Sequence, residues 1–206
     1  MIRTALEFIK KELDAYIVER EAEQYPGLYA NGNVVDLKSI VLPNGTINIT
    51  DTSHITLMLV GVEEERREGK RPYYLPADDK QFTRLNPPVE LDLYLLFAAH
   101  NNDYPTALRD LSDVIGFFQS NPVFDEKKYH ALNATIAEPL NTPWQIIDRL
   151  SFKLHSLTLE QQNNLWSMLG SKYIPNVVYK VNMLTVFETK GKEKVAKINE
   201  LNFTEK

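Results

Sequence analysis

Between Asn86 and Phe124 the chain reads NPPVELDLYLLFAAHNNDYPTALRDLSDVIGFFQSNPVF, a strand, a polar turn and an amphipathic helix in direct succession. Val89, Leu91, Leu93, Leu95 and Phe97 fall on one side of an extended strand over Val89–Ala99. Glu90 and Asp92 fall on the other side, until Tyr94, Leu96 and Ala98 take over, which predicts one wet end and one covered end. Asp103 is placed to cap the next helix, and Pro105 is tolerated in a first turn. Tyr104, Ala107, Leu108, Leu111, Val114, Ile115 and Phe118 make the stripe expected to be buried. Each fully buried Leu or Phe contributes roughly 1.5–3 kcal/mol, so much of the core is expected here. Asn121-Pro122 ends the helix. A strand and helix that must bury their apolar sides against one another restrict the chain to layered α-and-β architectures.

The flanking sequence fits that restriction. Ile2, Leu6, Ile9, Leu13 and Ile17 recur at helical spacing, with Glu7 and Lys11 as a favourable pair opposite, and the helix frays before Pro26-Gly27. Asn33–Leu42 is β-rich and runs into the turn signal Pro43-Asn44-Gly45-Thr46. His54–Val62 is apolar on both sides and predicts a central strand covered above and below. Leu150, Phe152 and Leu154 alternate with polar residues as a half-buried strand. Thr158-Leu159-Glu160-Gln161 is a capping box for a helix ending at Gly170. Asn176–Glu188 is a long strand with Val177, Tyr179, Val181, Met183 and Phe187 on one face. The whole predicts an α/β chain of the α+β type, with one mostly antiparallel or mixed sheet, early hairpins and helices packed on it. The domain is expected over residues 1–188, followed by a charged tail over 189–206. In that tail Val195, Ile198 and Leu201 suit a weak amphipathic helix.

Residues Glu63–Pro88 break the pattern: charges crowd the first part, and Tyr73, Tyr74 and Phe82 stand among prolines and aspartates. A segment this long inside a domain is usually functional or disordered. It reads either as a solvated excursion or as an arm that orders against a partner.

Chemistry is hard to find. None of His54, His100, His130 and His155 sits in a metal-ligand spacing, and the chain has no cysteine, so thiolate chemistry and disulfides are excluded. His100-Asn101-Asn102-Asp103 contains possible ligands, but in a turn where Asn and Asp are expected anyway. No nucleophile elbow, phosphate loop or dinucleotide fingerprint occurs among eight scattered glycines. Glu63-Glu64-Glu65 adjoins Arg66 and Arg67 and reads as mutually neutralised surface charge. Catalytic residues, a cofactor and a metal are therefore all expected to be absent. An enzyme with dispersed acid and base groups would instead need a deep pocket enclosing two carboxylates or a His–carboxylate pair. The net charge of -5 argues against nucleic acid or an anionic membrane as partner, and no apolar run approaches a bilayer span. The start has charges throughout, so a cytoplasmic protein is expected.

Three stretches carry a resemblance. VGVEEERRE (Val60–Glu68), the Asn86–Phe124 run, and LSFKLHSLTLEQQNNLWSMLGSKYIPNVVYKVNMLTV (Leu150–Val186) resemble, in this order, the N-terminal domain of the Pvc16 family. These are the cap or tail-terminator proteins of extracellular contractile injection systems. The resemblance implies a tail-terminator-like fold and a structural role: a ring, expected to be a hexamer, that closes the distal end of the inner tube and sheath and stops their elongation. It implies sheath and tube proteins as partners. It also implies assembly in the cytoplasm on a particle that is later either released or membrane-anchored. Many members carry an extension after this domain, and the chain ends about 20 residues past its last expected strand, so a role borne by such an extension is not expected here. Partner or oligomer contacts are expected from the charged arm and the tail: Arg66, Arg67, Lys70, Arg71, Tyr73, Tyr74, Phe82, Arg84, Lys190, Lys192 and Lys194. Phe117 and Trp166 either face a neighbouring copy or are buried. A small non-catalytic adaptor domain binding a protein partner is the alternative.

Overall fold

In the computed structural model the described residues are 1–21, 24, 25, 27, 29, 33–49, 53–65, 73–78, 81–85, 89–134, 136, 146–185 and 193–196; for 73–78, 81–85, 89, 184, 185 and 193–196 the description is of the backbone. In chain order the elements are α1 (Ile2–Glu21), β1 (Val35–Leu37), β2 (Ile55–Glu64), β3 (Tyr73–Asp78), β4 (Gln81–Leu85), β5 (Val89–Ala99), α2 (Tyr104–Ser120), β6 (Val123–Asp125), a short 3-10 turn (His130–Asn133), β7 (Ile147–Leu154), α3 (Leu159–Leu169), β8 (Asn176–Thr185) and β9 (Glu193–Ala196). The main sheet has six strands in the order β1-β2-β5-β8-β7-β6. Only β1 and β2 are parallel; the other pairs are antiparallel.

The parallel β1–β2 pair differs from the early hairpin that the sequence predicts. The Pro43–Thr46 turn does form, with Gly45 at φ 82° and Leu42 N–H bonded to Thr46 at 2.9 Å. It closes only a local bridge between Val41 and Ile47. The chain then returns to the start of β2 and runs alongside β1 in the same direction. β1 covers just Ile55–Leu57. Thus β2 is central for its first half, where Ile55, Thr56 and Leu57 are buried, and lies outermost beyond it, where Val62 is 47% exposed.

Strand alternation sorts the core into two layers. Leu93, Leu95 and Phe97 of β5, with Tyr179, Val181 and Met183 of β8, face α1 and α2, which contribute Leu6, Phe8, Ile9, Leu13, Ile17, Val114, Phe117 and Phe118. Phe118 stacks on Phe152 at 4.4 Å between ring centres and lies 4.5 Å from Tyr179. On the opposite side Leu96, Ala98 and Val178 meet Trp166 of α3 and Ile40 from the turn segment. The covered end of β5's second face is therefore Leu96–Ala98, as the alternation predicts.

The helix caps follow the sequence. Asp103 accepts from Thr106 N–H at 3.1 Å, and Thr158 and Gln161 form the reciprocal capping box. Gly170 closes α3 at φ 65°. The face of α2, however, is rotated from the expected stripe. It buries Ala107, Asp110, Leu111, Asp113, Val114, Phe117 and Phe118, whereas Tyr104, Leu108 and Ile115 are 60%, 43% and 39% exposed. The reason is the position of α1, whose C-terminal end approaches the Asp110–Asp113–Phe117 side through Tyr16, Arg20 and Glu21.

The segment Glu63–Pro88 contains the hairpin β3–β4, and the tail supplies β9 to its other edge, giving a second sheet in the order β3-β4-β9. In place of the expected tail helix, Glu193–Ala196 is a strand paired with Gln81–Arg84, and Ile198 and Leu201 lie outside the described residues. The short run E-K-V-A alternates, and a β4 edge is available to satisfy its backbone. β3 follows β2, β4 precedes β5 and β9 follows β8, so this small sheet repeats the order of the three strands at the centre of the main sheet. Its extensive contacts among the described residues are internal. No helix of the described residues is long and apolar enough to cross a membrane.

Candidate functional site

Three carboxylates and two arginines meet where α1 ends against α2. Glu21, Asp110 and Asp113 are buried. One Asp110 oxygen accepts from the Tyr29 hydroxyl at 2.7 Å, and the other lies 3.4 Å from His54 Nδ1. Arg109 donates to the Tyr29 hydroxyl at 2.9 Å, stands 3.6 Å from Glu21, and stacks its guanidinium 3.8 Å over the Tyr25 ring. Arg20 lies 3.3 Å from Asp113 and donates to the Tyr16 hydroxyl at 2.7 Å. Burial, reinforced by the Glu21 charge, pushes the Asp113 carboxyl up to about 6, against the pull of Arg20. Burial and the Asp110 carboxylate push the Tyr29 hydroxyl far up, so it stays a donor. Burial also lowers His100, helped by Lys38. The seam joins α1, α2 and the residue before β2, and its His–carboxylate pair serves as an orienting contact inside it.

A second polar group occupies the wet end of the β5 face. Asp92, only 6% exposed, pairs with Lys180 at 2.8 Å and accepts from Asn182 at 3.1 Å. Asn182 also donates to Glu65 at 2.9 Å, and the Tyr94 hydroxyl donates to Glu63 at 2.9 Å. The expected wet end is therefore a hydrogen-bonded lattice, in which both Asp92 oxygens have partners supplied by the neighbouring strand β8.

Two cavities open between this face and α3. One of about 360 Å³ is lined by Val60, Gly61, Tyr94, Leu165, Met168 and Val178 among others. The other, about 200 Å³, is lined by residues including Leu154, His155, Leu157 and Asn176. Neither is lined by a carboxylate, so neither encloses the acid–base pair that hydrolytic or proton-transfer chemistry requires. Among the described residues no three His, Asp or Glu side chains gather as a metal site.

The residues expected to make contacts divide into three groups. Arg66, Arg67, Lys70, Arg71, Lys190 and Lys192 lie outside the described residues. Tyr73 and Tyr74 open β3, Phe82 and Arg84 lie on β4, and Lys194 lies on β9; Tyr74 is paired with Arg84, and Thr83 with Lys194. The structure thus gathers five sequence-distant candidates on one small sheet. Phe117 and Trp166 are each 4% exposed, which corrects the idea that they face a neighbour. Phe117 packs against Tyr16 and Phe124 under α1, and Trp166 fills the layer beneath α3. The surface apolar residues that periodicity misassigned to the core are Tyr104, Leu108 and Ile115. Their hydrophobicity was visible, but the side from which α1 packs was not.

The family model described as the Pvc16 N-terminal domain matches residues 4–198. The chain belongs to the Pvc16 N-terminal domain family. The match runs through β9, so the strand added from the tail lies within the family's domain. No curated protein matches the sequence. Among solved structures, a cryo-EM structure of an extracellular contractile injection system, the PVC sheath/tube terminator in its extended state, shares the fold with a TM-score of 0.61 and 14% identity over 100% of this chain and 63% of that one. The cryo-EM structure of the tube-terminating cap of the anti-feeding prophage shares it with a TM-score of 0.52 and 15% identity over 98% of this chain and 60% of that one. The chain spans about three-fifths of the length of these two terminators.

Proposed function

We propose that this Pvc16 N-terminal domain is a structural, non-catalytic terminator of a contractile injection system. In this reading six copies form a ring on the distal end of the inner tube and sheath and end their elongation. The observation that carries the reading is the family match over residues 4–198, together with a fold shared along essentially the whole chain with two terminators. The small sheet β3-β4-β9 is the candidate contact to tube or sheath. Among the described residues its extensive contacts are within itself, and it offers strand edges of the kind by which extended segments add to a sheet. Assembly takes place in the cytoplasm, on a particle either released or anchored to a membrane.

The test is reconstitution. Purified chain is added to tube and sheath proteins of the same system during polymerisation, and particles are viewed by negative-stain microscopy. Density capping one end, and a shortened length distribution, are expected. A protein that never binds tube or sheath ends, and leaves their length unchanged, overturns the reading in favour of an adaptor with another partner.

A further inference from the structure

Helix α2 is inverted in one respect: it buries Asp110 and Asp113 and leaves Tyr104, Leu108 and Ile115 at the surface. Those three recur at i, i+4 and i+11, so they share one stripe of the helix. Pro105, Ser112, Gln119 and Ser120 are the other exposed residues of the helix, and none of the seven is charged. By contrast α1, packed on the same side of the sheet, turns Arg3, Lys11 and Glu19 to solvent. A solvated helix face in a chain that is 25% charged is expected to look like that of α1. Depletion of charge around apolar anchors is the mark of a protein interface centre.

A second uncharged surface lies on the opposite side of the sheet. The cavity of about 360 Å³ beside α3 is open, floored by Val60, Gly61 and Val178 and rimmed by Met168, which is 69% exposed. Gln161, Asn164 and His155 also line it, and no Asp, Glu, Lys or Arg does. A closed ring of more than two identical copies needs two different surfaces on each copy, one meeting the other in the next. We infer that the α2 stripe of one copy seats in the groove beside α3 of the next copy, with Leu108 and Ile115 entering between Met168 and the Val60–Gly61 edge. The inference rests on the ring proposed above and names its interface. Neither surface carries an Asp, Glu, Lys or Arg of its own, and Arg20, beside Gly116 at the edge of the stripe, is already paired with Asp113, so no ion is left unpaired when they meet. The stripe is about 25 Å long and about 10 Å wide, on the order of a third of the area that a stable interface buries on each side. This contact alone is therefore too small to hold copies together in dilute solution. It closes the ring when a tube end gathers the subunits.

The absence of cysteine makes the test clean. Leu108→Cys and Met168→Cys are introduced singly and together, both at exposed positions that folding tolerates. Each protein is assembled with tube protein, treated with a short bismaleimide, and resolved by denaturing electrophoresis, while native mass spectrometry counts the subunits in a parallel sample. The double variant is expected to give a ladder that ends at the ring size, and each single variant only monomer. A dimer from either single variant would mean that like faces meet, and overturns the inference. Rings counted by mass spectrometry without a ladder place the interface elsewhere and overturn it while the ring reading stands. If wild-type chain forms no oligomer on tube ends, the ring reading itself fails, and the inference with it.

Discussion

Asp113→Asn is expected to stabilise the protein at neutral pH, although it removes a charge from an apparent ion pair. Asp113 is 2% exposed, and burial beside Glu21 holds its carboxyl up to about 6, whereas an unfolded chain titrates near 3.9. Between those values the folded state binds the extra proton. Stability therefore falls as pH rises through about 4 to 6, and the loss is complete above that window. A displacement of about two units corresponds to roughly 3 kcal/mol. The asparagine does not titrate and keeps an oxygen for Arg20. Urea unfolding followed by circular dichroism from pH 4 to 8 should show wild type and variant equally stable at pH 4. At pH 7.5 the variant should be more stable by about 1–3 kcal/mol, with a melting temperature higher by roughly 2–4 °C for each kcal/mol. A variant less stable than wild type at pH 7.5 would show that the Arg20–Asp113 attraction outweighs desolvation. A difference that does not change between pH 4 and 8 would show that Asp113 is not the titrating group. Either result refutes the reasoning.

Phe118→Ala should cost about 3–5 kcal/mol in the same urea assay, because its ring packs on Phe97, Phe152 and Tyr179 at once and α2 cannot collapse into all three spaces. Gly170→Ala should cost about 1 kcal/mol: nothing lies within 4 Å of the added carbon, so the loss comes from the left-handed backbone at φ 65° alone. Truncation after Thr185 removes β9 and should abolish slow amide exchange in Gln81–Arg84 while shifting the body's melting temperature by no more than about 2 °C; a body that unfolds would show that the small sheet is part of the core.

The body was legible where one signal sufficed. Strand β5 begins and ends at Val89 and Ala99 as its alternation predicts, because a two-residue period needs no knowledge of the partner strand. Caps at Asp103, Thr158 and Gly170 are local hydrogen-bond and backbone requirements, and they too are as expected. What depends on the direction of approach of another element was not legible. The parallel β1 follows from where the chain returns after residue 49, and the tail strand from an edge left open by β4, more than a hundred residues earlier in the chain. The polar lattice around Asp92 has the same cause. Glu63, Lys180 and Asn182 become neighbours only through the β2–β5–β8 register, so sequence alone presents them as isolated polar residues.

Helix α2 shows why such gaps bear on function. Its apolar residues cover more of its circumference than one packed side can use, so periodicity alone cannot say which of them become core. The decision falls to the Asp110 part of the seam: the Tyr29 hydroxyl donates to Asp110 and His54 Nδ1 lies 3.4 Å from its other oxygen, so the side carrying Asp110 turns inward, Asp113 follows at a cost, and Leu108 and Ile115 turn out. Without the seam, a rotation of the helix by about one residue would bury Leu108 and Ile115 and expose the aspartates. The seam therefore stabilises one rotation of α2, and in doing so it keeps an uncharged stripe at the surface. On this argument, weakening the seam at Asp110 would impair ring closure even though Asp110 touches no neighbouring copy, because the stripe would be presented at the wrong angle.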